Sequence, residues 1–160
     1  MKPTTLVFLV KRDGERISEI CLAMKKRGFG MGRWNGVGGK LLDDEEIEHA
    51  ALRETQEEIG VTVEKLNKVA ELTFEFPHTP EYSQIVHTYF VYEWEGVPTE
   101  SEEMKPLWFN VENIPYASMW PDDSFWLPKV LAGAKVKASF TFAPGDIVLK
   151  NQVETVKGFL

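Results

Sequence analysis

Residues 38–61 read GGKLLDDEEIEHAALRETQEEIGV. Six glutamates fall within the fourteen residues from Glu45 to Glu58. Strong helix formers dominate from Glu45 onward. Asp43 and Glu46 have the spacing of a capping box, and Gly60 offers a C-terminal stop. One helix is therefore expected, entered at Asp43 and left at Gly60. On it Glu54, Glu57 and Glu58 share a face, within an arc of about 100°. Like charges at that spacing cost about 0.2–0.5 kcal/mol per pair. Two readings follow. The face is solvated, the commoner fate of a charge run, or it is half of a divalent-cation site completed by a polyphosphate.

The flanks extend the picture. KKRGFGMGRWNGVGGK, residues 25–40, carries six glycines and five basic residues in sixteen. No regular helix or strand survives that glycine density, so a long shaped loop is expected. Its place before the carboxylate helix favours phosphate contact over a merely basic surface. Upstream, TTLVFLV reads as a buried strand, Asp13-Gly14 as a turn and ISEICLAM as a second strand. Downstream, VTVEKLNKV, ELTFEFP, SQIVHTYFVYEWE and LWFNV read as four β-like runs. DDSFWLPKVLAGA reads as a helix bent at Pro128, and VKASFTFAPGDIVLK as a strand pair about Pro144-Gly145. The expected fold class is α/β, a mixed sheet sandwiched between helices. At 160 residues a single domain over 1–160 is expected.

The formal net charge of −7 argues against polymeric nucleic acid, which is usually met by a basic stripe. It leaves room for a small phosphate ligand arriving with its own metal. Cys21 is the one cysteine, which fits a reducing compartment and reads as a small buried hydrophobe. The apolar run from Thr5 to Val10 is too short for a signal segment, and nothing approaches the ~20 apolar residues of a membrane span. A cytoplasmic protein is expected. His49, His78 and His87 lack metal-ligand spacing and are read as structural.

MWPDDSFW, residues 119–126, places two carboxylates beside tryptophans. PDDS alone is most often a helix N-cap with a solvated Asp, and Trp120 alone would be core. A purine site, however, needs a flat aromatic wall and a few placed polar groups. Burial beside such a wall would raise at least one Asp pKa. Trp34, Trp94, Trp108 and Trp126 are read as core or rim.

The opening stretch also fits a known pattern. From Gly39 the chain runs five residues to Glu45, seven more to Arg53, then Glu54, Glu57, Glu58, Gly60 and Val61. This is the Nudix box over 39–61, Gly-x5-Glu-x7-Arg-Glu-U-x-Glu-Glu-x-Gly-U, with U a bulky aliphatic. Thr55 stands where an aliphatic is asked for, and its hydroxyl needs a partner if buried. The chain resembles the Nudix hydrolases, which cleave nucleoside diphosphates linked to another group. The resemblance implies a Nudix fold and Mg²⁺, with Mn²⁺ substituting. It implies metal contact by Glu54, Glu57, Glu58 and the Gly38 carbonyl, with Glu58 or a glutamate outside the box helping to deprotonate water. Gly39, Glu45, Arg53 and Gly60 would shape the box.

Residues 5–7, 24–40, 74–76, 100–109 and 119–126 resemble the branch of the family that hydrolyses oxidized purine nucleoside triphosphates, such as 8-oxo-dGTP and 2-hydroxy-dATP. That implies a monomer sanitising the nucleotide pool. Asn35, Asp122 and Asp123 would hydrogen-bond the purine edge, and Trp120 and Phe29 would flank the base. Phe74 and Thr5 would line the pocket, Lys25 would meet phosphate, and Glu103 would be the extra glutamate near the metal. A protonated Asp donates and an ionised one accepts, so the pair can match more than one oxidized base. Alternatives are a Nudix hydrolase of dinucleoside polyphosphates or ADP-ribose, or a non-catalytic module that senses nucleotides. The turn in KRDGERISE is longer than the branch pattern, and PHTPEYSQIVHTYF is altered where it would line a pocket wall.

Overall fold

β1 (Lys2–Asp13) carries side chains into two cores. Leu6, Phe8 and Val10 point to one side, Val7 and Leu9 to the other, as a period of two requires. Both sides are covered, which is why residues 6–10 are apolar without a break. The computed structural model describes residues 1–159. Around β1 it forms a mixed eight-stranded sheet. The order is β3 (Trp34–Asn35), β2 (Arg16–Lys25), β1, β5 (Gln84–Val91), β4 (Asn67–Glu75), β7 (Lys135–Ala143) and β8 (Ile147–Val156). β6 (Met104–Asn110) pairs with β2 along the edge opposite β1 and β3. β1–β5 and β4–β7 are parallel.

Two helices cover opposite faces. α1 (Ile47–Ile59) buries Ala51 and Ile59 against Val7, Leu9, Cys21 and Ala23. α2 (Asp123–Leu131) buries Trp126, Leu127 and Val130 against Phe8, Val10, Ile20 and Leu22. Trp126 is wholly buried, so Trp126→Ala costs about 3–5 kcal/mol. The sandwich expected from the sequence is the one observed.

Several boundaries differ. The last three residues of VTVEKLNKV and most of ELTFEFP form one strand, β4, whose ladder with β5 runs from Asn67 to Phe74. Residues 61–66 precede it as a connection, pinned by buried Val61 and Val63 and by a bridge from Thr62 to Glu95. α1 starts at Ile47, and Asp43 does not cap it: Glu46 holds the cap position without a side-chain bond. The chain instead turns at Asp44, φ +60°, and the Leu42 amide donates to the Glu45 carboxylate at 2.9 Å. Gly60 ends α1 as expected, in the left-handed region (φ 71°), its amide donating to the Gln56 carbonyl. α2 continues through Pro128 and stops three residues later, at Leu131.

Cys21 is buried, and burial pushes its thiol up to about 12. Thr55, also buried, donates its hydroxyl to the Ala51 carbonyl at 2.7 Å. That bond supplies the partner its departure from the box pattern demanded.

Candidate active site

β1 holds the start of the box. The Thr5 amide donates to the Gly39 carbonyl at 3.0 Å, and Val7 and Val37 exchange backbone bonds. The approach is so close that a Cβ on Gly38 would lie 1.9 Å from the Thr5 carbonyl oxygen. A Cβ on Gly39 would lie 2.9 Å from the Glu54 carboxyl. Glycine at both positions is thus a packing requirement. It brings the 38–39 backbone against the carboxylate face of α1.

Arg53 organises that face. Its Nε and Nη2 donate to the two oxygens of Glu45 at 2.8 and 2.9 Å. Its Nη1 donates to Glu54 at 3.0 Å and to Glu57 at 3.1 Å. The fork matches a carboxylate in plane. It holds the Glu45 carboxyl down at about 2, with help from the Leu42 amide. His49 also reaches Glu45, at 2.9 Å.

Glu58 is the exception among these glutamates. It is 6% exposed, and its Oε2 has no partner. Burial pushes its carboxyl up to about 9, and a hydrogen bond to Glu54 and that residue's charge push the same way, against Lys25 and a Gly38 hydrogen bond. The Glu58 carboxyl therefore resists ionising beside Glu54, and a cation there would offset the repulsion. Among the described residues no three His, Cys, Asp or Glu side chains converge to hold a metal ion by themselves. The hard oxygens of Glu54 and Glu58 at the glycine backbone still suit a divalent cation whose remaining ligands come from phosphate and water. Glu57 does not line the cavity beside these residues: its side chain is 58% exposed and turned to Arg53. Glu103 does line the cavity, accepting from Arg27 Nη2 at 3.3 Å.

The cavity, about 960 Å³, runs from Glu54, Glu58 and Lys25 to a second pair of acids, Asp122 and Asp123. Both are buried, 1% and 3% exposed, so the reading of PDDS as a solvated cap fails. Asp122 stands at the α2 N-cap without capping it. It accepts from Trp126 Nε1 at 2.9 Å instead. Asp123 keeps Oδ2 without a partner. Burial raises both carboxyls, Asp122 to about 6 and Asp123 well above its usual range, with the Asp122 charge adding to the latter. Thr5, Asn35, Phe74, Phe29 and Trp120 line the same cavity. A larger depression of about 1190 Å³ near Tyr92, Tyr116 and Lys135 contains none of these residues.

The NUDIX domain pattern matches residues 1–130. The chain belongs to the Nudix family. The oxidized purine nucleoside triphosphate hydrolase of Mus musculus is 46% identical over 140 residues, 88% of this chain and 89% of the mouse protein. The protein of the same name from Danio rerio is 40% identical over 156 residues, covering 98% and 96%. Among solved structures, a MutT protein from Bacillus halodurans superposes with a TM-score of 0.81 at 22% identity, covering 96% of this chain and 98% of that one. The last likeness shows the Nudix fold.

Within this Nudix site one expected arrangement is absent. Phe29 and Trp120 do not leave a slot for a base between them. Their rings are already 4.9 Å apart and tilted by 33°, inside the contact range of aromatic pairs. Phe29 also stacks on Tyr82, centroids 4.5 Å apart. Sequence reasoning did not single out Tyr82, Arg33, Phe76 or Phe142, all of which line the cavity. Tyr82 had a signal, since it lies in the altered segment expected to form a wall. Arg33 was present in the glycine-rich loop, but nothing local marked it off from its basic neighbours.

Proposed function

We propose that this Nudix hydrolase converts oxidized purine (deoxy)nucleoside triphosphates and water to the monophosphate and pyrophosphate, using Mg²⁺, and so cleans the nucleotide pool. The observation that carries the reading is the two-ended cavity. Carboxylates suited to a cation lie at one end, and a buried acid pair, one oxygen unsatisfied, lies at the other. The mouse and zebrafish relatives bear the name of this activity.

Each end has its own task. Glu54, Glu58 and the Gly38 carbonyl would hold the cation, with Glu103 on the same cavity wall and Glu57 joining only on release from Arg53. Bound there, a divalent cation neutralises phosphate charge and lowers the pKa of water. Glu58 or Glu103 accepts a proton from the attacking water. Lys25 contacts phosphate. At the far end Asp123 donates as the protonated acid and Asp122 accepts as the ionised one, while Asn35 adds a polar group. Trp120, Phe29, Phe74 and Thr5 form the wall. Exchanging the proton between the two acids exchanges donor for acceptor, a physical route to reading both 8-oxo-guanine and 2-hydroxy-adenine.

The reading treats residues 1–160 as one domain acting as a cytoplasmic monomer. β7 and β8, beyond the matched segment, complete the same sheet. No helix among the described residues is long and apolar enough to cross a membrane. The test is steady-state kinetics on a nucleotide panel of dGTP, 8-oxo-dGTP, 2-hydroxy-dATP, a dinucleoside polyphosphate and ADP-ribose, with product analysis. A clear advantage for the oxidized purines, releasing pyrophosphate, is expected. Equal efficiency on dGTP and 8-oxo-dGTP would defeat the reading.

A further inference from the structure

Arg33 leaves the glycine-rich loop and contacts two distant segments at once. Its Cζ lies 4.1 Å from the centre of the Trp120 ring. Its Nη1 donates to Asp146 Oδ2 at 2.9 Å, across 113 residues of sequence. The two side chains are 28% and 34% exposed, so neither is fully in solvent. Asp146 occupies the β7–β8 turn with φ +59°, outside the cavity lining. The loop itself presses on the same indole: a Cβ on Gly30 would lie 3.2 Å from Trp120 Nε1. The Arg33 amide donates back to the Gly30 carbonyl at 3.1 Å. Trp120 therefore has loop backbone at its edge and a cation over its ring, and that cation is tied to the far hairpin.

A solvated surface arginine would not need this arrangement. A guanidinium can stack on an aromatic face while one of its N–H groups meets a carboxylate from the same rigid plane, which an ammonium does not do. We infer that Arg33, anchored by Asp146, is a positioning residue for base recognition, fixing the plane of Trp120 relative to Asp122 and Asp123 so that wall and carboxyls meet one flat base together. The inference rests on the purine site proposed above. It predicts a loss in binding the base, and no loss in the chemistry at the distant glutamates.

The test compares wild type with Arg33→Met, Arg33→Lys and Asp146→Asn, using 8-oxo-dGTP and dGTP. Acrylamide quenching of tryptophan fluorescence in the ligand-free protein supplies a second readout. Arg33→Met should raise KM for 8-oxo-dGTP about five- to tenfold, the scale of a lost cation–π contact and ion pair. Its kcat should stay within about twofold, the signature of lost binding alone. Asp146→Asn should move KM the same way by less, and Arg33→Lys should rescue only in part. Quenching should rise in Arg33→Met, and the rise should vanish when Trp120→Phe is the background. Complete rescue by Lys with an inert Asp146→Asn would overturn the role, leaving Arg33 a simple charge. So would constants and quenching unchanged in Arg33→Met while the wild type remains selective. A wild type indifferent to base oxidation would instead defeat the purine reading, and this role with it.

Discussion

Trp126 Nε1 donates to Asp122 Oδ2 at 2.9 Å, while the adjacent Asp123 keeps a buried oxygen without a partner. Two neighbouring carboxyls thus have different duties. The indole fixes Asp122 as an acceptor from the core side. Asp123 lines the cavity, where the proposed base would meet it. An unpaired buried oxygen costs about 1–3 kcal/mol, a penalty that a matching base would remove.

The pair should therefore give a pH-dependent selectivity. Burial raises both carboxyls, Asp122 to about 6, and the Asp122 charge adds to the rise at Asp123, so the pair holds a proton more readily than two exposed carboxyls would. Below about pH 6 Asp122 gains a proton and the acceptor is lost. kcat/KM for the oxidized purine should therefore fall as pH drops through about 6. Asp122→Asn should cut the preference over the normal purine by about tenfold or more, since a site built on buried hydrogen bonds rejects what fails to match them. Titration with Mg²⁺ should be unaffected. Selectivity unchanged in Asp122→Asn would show that the base lies elsewhere.

Glu58 gives a second prediction, on stability as well as rate. Its folded carboxyl is raised to about 9, above its unfolded value of 4.5. The unfolded chain therefore releases the proton first. Stability present below about pH 4.5 is lost as pH rises toward 9. A divalent cation that replaces the proton should reverse this. In calorimetry the Tm of the metal-free protein should fall between pH 5 and 8, and added Mg²⁺ should raise Tm more at pH 8 than at pH 5. Glu58→Gln should flatten both trends and lower kcat by about 10²–10⁴, the range for removing a proton acceptor. If Mg²⁺ leaves Tm unchanged at pH 8, Glu58 is not part of a cation site.

The Glu45–Arg53 fork should act through structure alone. Glu45 is held down at about 2, chiefly by Arg53. The stabilisation is therefore complete above the unfolded value of 4.5 and lost as pH falls toward 2. Glu45→Gln should lower Tm near neutral pH and lower kcat without changing the ratio of efficiencies on 8-oxo-dGTP and dGTP. A changed ratio would mean that the fork also shapes the base end.

Part of this architecture was legible in the sequence. The box spacing located α1, its Gly60 stop and the carboxylates, because i, i+3 and i, i+4 geometry is local. Pro144-Gly145 marked the last hairpin for the same reason. The failures share a different cause. The helix start moved to Ile47 because Glu45 binds an arginine eight residues ahead. Glu57 turned outward because Arg53 competes for it. The Phe29–Trp120 contact and the Arg33–Asp146 pair join segments far apart in sequence, and no periodicity encodes them. The Asp pair was visible as a motif, but its burial depends on how α2 packs on the sheet.

The Thr55 departure should prove harmless. Its hydroxyl donates to the Ala51 carbonyl inside α1, a bond worth about 0.5–1.5 kcal/mol. Thr55→Val keeps the shape and fits the box pattern, so denaturant unfolding should shift by less than about 1.5 kcal/mol. A larger loss would mean that the hydroxyl holds α1 in place.

The most direct measurement is kcat/KM for 8-oxo-dGTP and dGTP on the purified protein, in Mg²⁺ and in excess chelator. The oxidized substrate should win by at least about tenfold, one hydrogen-bonded pair's worth of discrimination, and chelator should abolish turnover of both. Equal constants for the two nucleotides, or turnover that survives the chelator, would contradict a site that joins a cation at the carboxylate helix to a base at the buried acid pair.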